Sequence, residues 1–165
     1  MVVLKKLGGI RFSALMALFA AVMMLFCLIL PYLSVTELGE ATNYGSESLS
    51  LVDLALQRNE VFGGDEVLGW IYVTLLGMIG AFGVLTILFT LMYKAIPTGI
   101  FTLLAVGAFY LISLDFTQRQ VVGGGIYEFG IAFYTFCAAA VVAVGCSIWM
   151  LVEKIGAKKA AKKEK

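Results

Sequence analysis

The ionisable residues best placed to do chemistry in this 165-residue chain are Asp115, Arg119 and Glu128. Two carboxylates and a guanidinium flank one short segment between apolar stretches. There they would form either a simple interfacial salt bridge or an outer polar cluster, the best candidate for a functional ionisable group. The sequence offers no reaction beyond that. It contains no histidine, so the commonest general base and the commonest metal ligand are both missing. Cys27, Cys137 and Cys146 fall inside apolar runs and no loop carries a pair, so neither a disulfide framework nor a zinc knuckle is encoded. Gly123, Gly124 and Gly125 are not followed by the lysine and hydroxyl residue of a phosphate-binding loop. No acids have EF-hand spacing. The reading is therefore no enzyme, with no catalytic residue, cofactor or metal.

The elements that position these residues must be membrane-spanning helices. With 61% hydrophobic and 14% charged residues and a mean hydropathy of +0.98, the solvent of this chain is largely lipid. Apolar stretches at 12–30, 67–91, 96–114 and 129–152 are each long enough, at about 1.5 Å per residue, to cross most of a hydrocarbon core roughly 30 Å thick. The first follows Lys5, Lys6 and Arg11, a layout shared with secretory signals. A signal's apolar core usually runs only about 7 to 15 residues, which favours an uncleaved span. The turn between the second and third stretches is short enough to make them antiparallel neighbours. Pro97 falls where the third helix begins, a position whose N–H has no helical acceptor anyway. The expected fold is all-α: a single domain over 1–165, built as a four-helix antiparallel transmembrane bundle. Its outer loops are 31–66 and 115–125, and its tail is 153–165.

Charge sets the expected orientation. Lys5, Lys6, Arg11, Lys94, Lys154, Lys158, Lys159, Lys162, Lys163 and Lys165 lie on one side of the four stretches, against Arg58 and Arg119 on the other. Basic residues concentrate on the cytosolic side, so both termini are expected there, in the cell membrane. The acids sort oppositely, with Glu37, Glu40, Glu47, Asp53, Glu60, Asp65, Glu66, Asp115 and Glu128 outside. Tyr32, Trp70, Tyr72, Tyr110 and Tyr127 mark the outer interface, and Tyr93 and Trp149 the inner one. The near-neutral net charge of +1 averages two opposite faces and predicts no nucleic-acid partner.

In the first outer loop, Ser50 and Asp53 have the spacing of a capping box, which predicts a short interfacial helix near 51–58. Glycines at 39, 45, 63 and 64 predict turns and irregular pieces for the remainder. Gly123 to Gly125 form a plausible hinge in the second loop. Within the spans the polar groups are hydroxyls, chiefly Ser13, Thr74, Thr86, Thr90, Thr102, Tyr134, Thr135 and Ser147, which can bond back onto their own helices. No charge falls at mid-depth, which argues against transport or proton relay. Gly77, Gly80 and Gly83 lie close to one helix face and predict tight helix packing, within the bundle or against a second copy or another membrane protein. Lys158, Lys159, Lys162 and Lys163 serve as a topology signal, and also suit anionic lipid.

The layout resembles that of claudin-like and other tetraspan proteins: both termini inside, a large first outer loop, a tight inner turn and a smaller second outer loop. The tryptophan and cysteine signature of claudin loops does not occur between 31 and 66. The runs 30–35, 48–54 and 125–127 resemble small four-pass membrane proteins of bacteria, a likeness that implies no activity. Lipoprotein signal peptidases need paired aspartates, small multidrug transporters a glutamate in the first helix, and four-helix disulfide oxidoreductases paired cysteines. This chain has none of these. The expected function is that of a multi-pass scaffold, accessory or sensor component acting through protein contacts. The alternative is a subunit of a small-solute or ion transporter, or of a channel, lined by hydroxyls and gated near Glu128.

Overall fold

The computed structural model describes residues 11–41, 48–56 and 66–163, and within these the side chains of 66–68, 158 and 160–163 are outside the description. Lys5, Lys6, Gly45, Glu47, Arg58, Glu60, Gly63, Gly64, Asp65, Glu164 and Lys165 lie outside the described residues. In chain order the elements are α1 (Phe12–Phe26), β1 (Pro31–Val35), α2 (Glu37–Ala41), β2 (Leu49–Ser50), α3 (Leu51–Leu56), α4 (Glu66–Leu91), α5 (Ala95–Gln118), β3 (Tyr127–Phe129) and α6 (Ile131–Lys163). Three stretches are long and apolar enough to cross a membrane: Gly69–Leu91, Ala95–Gln118 and Ile131–Ala157.

The first apolar helix is shorter than the sequence predicts. It ends at Phe26 and is followed by turn residues instead of continuing to Leu30. Pro31 supplies the reason, because the residue before a proline is pushed out of the helical region and proline itself opens an extended strand here. The fourth apolar stretch also starts later, at Ile131, because 127–129 are taken by β3. At its far end α6 continues as helix to Lys163, in keeping with the helix-forming Ala and Lys of that segment.

The all-α expectation is corrected by a three-stranded antiparallel sheet of order β2-β1-β3. Leu33, Ser34 and Val35 register with Phe129, Glu128 and Tyr127, and Leu33 also registers with Leu49 on the opposite edge. Strands of two to five residues do not hold a sheet by pairing alone. What holds this one is burial: Tyr32 and Leu33 are fully enclosed, and Tyr32 meets the rings of Phe109, Phe116, Phe129 and Phe133. Burying a large apolar side chain contributes roughly 2 to 3 kcal/mol. Burial also pushes the Tyr32 phenol well above its ordinary range, so it stays a donor and gives its hydrogen bond to Ser113 Oγ at 2.9 Å. One buried cluster therefore runs from Ala20 and Met24 of α1 through β1, Leu51 and Leu54 of α3, and into α4, α5 and α6.

The helices pack as neighbours in chain order, α4 against α5 and α5 against α6, with α1 against both α4 and α6. Phe109 of α5 stacks on Phe136 of α6 with centroids 3.9 Å apart. A Cβ on Gly99 of α5 would stand 3.0 Å from Ser147 Oγ of α6, so these two helices approach closely there. Of the span-two glycines, Gly83 is packed under Leu25 of α1, whereas a Cβ on Gly77 or Gly80 would meet nothing within 4 Å. Thr74, Thr86, Thr90 and Thr102 each donate to the carbonyl four residues earlier, and Ser147 to the carbonyl of Val144. Hydroxyls that bond this way sit among apolar neighbours at little cost.

Candidate functional site

Two polar centres terminate the helices, one beneath the sheet and one at the opposite end, where the α4–α5 turn meets the start of α1 and the latter part of α6. At the turn end the sequence places Tyr93 in a position usually held by glycine. Its φ is +53°, its N–H bonds to Thr90 O, and the next N–H, from Lys94, bonds back to Phe89 O. That pair of bonds is the Schellman pattern closing a helix. A bulky residue in left-handed backbone is strained, and such strain persists only where surroundings enforce it.

The surroundings of the Tyr93 ring are ionic. Its hydroxyl donates to Glu153 Oε2 in a short hydrogen bond and accepts one from Arg11 Nη1 at 3.0 Å. Ser13 Oγ donates to the same Glu153 oxygen at 3.1 Å, and Arg11 stands 3.7 Å from it. The Arg11 guanidinium and the Lys154 ammonium lie over the Tyr93 ring, at 4.8 and 5.3 Å from its centroid, within the range of cation–π attraction. Burial first, and then the bond to Glu153, push the pKa of the Tyr93 phenol above its ordinary value, which keeps it a donor. The Glu153 side chain is only 5% exposed, and its Oε1 is buried with no hydrogen-bond partner among the described residues. Residues from the beginning, middle and end of the chain thus converge on one carboxylate.

In the sequence Glu153 opens the basic tail 153–165 and carries no mark of a site. One signal could have found it. Ala139, Ala143, Cys146 and Met150 are buried at helical spacing along α6, and position 153 continues that face.

At the sheet end, Asp115 accepts from Arg119 Nε at 2.8 Å and, in a short bond, from the hydroxyl of Tyr72. Asp115 lies in the last turn of α5 and Arg119, four residues on, caps its end, with side chains 33% and 45% exposed. Glu128 is exposed on β3, in register with Ser34, and Asp115 and Arg119 pair without it. The segment between them begins at Gln120, a second non-glycine residue in left-handed backbone, and passes through Gly123 and Gly125 at φ +97° and +91°. Thr36 donates to the carbonyls of Gly125 and Ile126, so the glycine segment is tied to β1 and α2.

Asp53 accepts from the Ser50 N–H at 3.0 Å and from its hydroxyl at 2.6 Å, while Ser50 Oγ accepts from the Asp53 N–H at 3.1 Å. This reciprocal box starts α3, which spans Leu51–Leu56, and the hydrogen bonds from Ser50 hold the Asp53 carboxyl below its usual range. Among the described residues, no three of His, Cys, Asp and Glu come together as a metal site. Of the four tail lysines, Lys159 is exposed, and the side chains of Lys158, Lys162 and Lys163 lie outside the described residues. No family model matches the chain, and no curated protein or solved structure does.

Proposed function

We propose that the chain is a four-pass protein of the cell membrane, an antiparallel four-helix transmembrane bundle with both termini in the cytosol. It works as a scaffold, accessory or sensor component through protein contacts and performs no catalysis. The three long apolar helices support membrane insertion. The sorting of Lys and Arg in the sequence supports the orientation, which puts Tyr93 and Glu153 at the cytosolic face and the sheet outside.

The observation that carries the contact role is the buried core shared by the helices and the sheet. It makes the extracytoplasmic part a fixed cap. On that cap α2 presents Glu37, Leu38 and Glu40, and β3 presents Glu128, all exposed. An exposed leucine, 59% accessible, flanked by carboxylates suits a protein surface with an apolar spot and basic surroundings.

A photoactivatable residue at position 38 tests this in intact cells. The expected result is one discrete protein adduct, lost when Glu37→Lys and Glu40→Lys are introduced together. Absence of any protein adduct, or solute flux through liposomes holding only the purified chain, would overturn the reading.

A further inference from the structure

At the turn end a cleft of about 300 Å³ opens between the start of α5 and the stretch 151–155 of α6. Its apolar part comprises Ile96, Pro97, Leu151 and Ile155, and its cationic part Lys94 and Lys154. Ile96 and Ile155 are exposed. Each ammonium group lies near an aromatic ring, Lys94 Nζ 5.9 Å from the Phe89 centroid and Lys154 Nζ 5.3 Å from that of Tyr93. Glu153, the carboxylate next to Lys154 in the chain, is engaged by Arg11, Ser13 and Tyr93. Among the described residues neither Lys94 nor Lys154 forms an ion pair. Two positive charges therefore border an apolar cleft.

We propose that this cleft binds one anionic phospholipid of the cytosolic leaflet, with its phosphate between Lys94 and Lys154 and its acyl chains against Ile96, Leu151 and Ile155. The inference rests on the membrane reading given above, which places this end of the helices at the headgroup layer. Charge complementarity selects the headgroup, since lysines at a membrane surface attract anionic lipid. The apolar floor selects a lipid over a soluble phosphate compound, which would gain nothing from covering isoleucine and leucine. The site is separate from Lys158, Lys159, Lys162 and Lys163 of the tail, because its two lysines come from different parts of the chain and border one cleft.

The full chain, purified in a neutral detergent, is titrated with phosphatidylglycerol or phosphatidylcholine, and retained lipid is read by native mass spectrometry. Wild type is expected to keep one phosphatidylglycerol in preference to phosphatidylcholine. Lys94→Gln with Lys154→Gln, which keeps most of each side chain but removes both charges, should weaken retention about thirtyfold. Lys94→Arg with Lys154→Arg should retain the lipid. A variant with Lys158, Lys159, Lys162 and Lys163 all changed to Ala should bind as wild type does. Unchanged retention in the Gln variant, loss in the tail variant, equal retention of phosphatidylcholine, or displacement of the lipid by inorganic phosphate would each overturn the proposal. Extraction of wild-type chain from cell membranes by alkaline carbonate would instead overturn the membrane reading, which keeps the two failures apart.

Discussion

The two ends of the helices carry the same three kinds of group, a tyrosine, a carboxylate and an arginine, arranged to opposite effect. Beneath the sheet, Asp115 and Arg119 sit one turn apart at the end of a single helix and Tyr72 reaches Asp115 from its neighbour. At the turn, Arg11, Tyr93 and Glu153 come from three elements far apart in the chain, and the carboxylate is enclosed. A half-exposed pair within one helix contributes a few tenths of a kcal/mol and is screened by salt. A buried carboxylate holding several donors costs far more to disturb, because each partner it loses is left without a hydrogen bond in a place water does not reach. Composition does not rank the two sites; burial and connectivity do.

The largest effect should come from Glu153→Ala. It removes the acceptor of both Tyr93 and Ser13 and should lower stability by about 3 kcal/mol. The loss is measurable as a drop in the thermal midpoint reported by labelling of the buried Cys146. A midpoint within error of wild type would erase the distinction between the two ends. Tyr93→Phe keeps the ring and removes only the hydroxyl, and should cost about 1.5 kcal/mol by the same assay. This phenol also gives the turn end an alkaline limit. Its pKa is raised in the folded state, so its stabilisation is complete below the ordinary tyrosine value of 10.0 and is lost as pH climbs through the folded value. Tyr93→Phe should flatten that alkaline decline in a stability-versus-pH curve.

At the sheet end the effects shrink. Tyr72→Phe, which leaves Asp115 its bond to Arg119, should cost about 1 kcal/mol. Arg119→Ala should cost about 0.5 kcal/mol or less, falling further when the thermal midpoint is measured in about 0.5 M salt. A salt-insensitive loss equal to that of Glu153→Ala would show the two ends to be equivalent.

The long helices were legible from the sequence because their apolar runs exceed 18 residues, and the Ser50–Asp53 box because its spacing alone encodes it. Back-bonded threonines were legible for the same local reason. The sheet was not, since Leu33 pairs with Phe129 across more than half of the chain and Pro-Tyr-Leu-Ser-Val shows no strand alternation. Glu153 was hidden by its lysine neighbours, whose charge made the segment look solvated throughout. Tyr93 was hidden because a helix reversal normally announces itself with glycine. Of the three glycines read as a packing stripe, only Gly83 meets a neighbouring helix closely; a Cβ at Gly77 or Gly80 would stand in open space. Side-chain spacing along one helix does not say which partner that face receives.

Tyr32 has one further consequence. Wedged among four phenylalanines and bonded to Ser113, it leaves no slack joint between cap and shafts. A tug on the strands is therefore passed straight to the α5 and α6 rods, as a handle cast in one piece with its blade moves the blade.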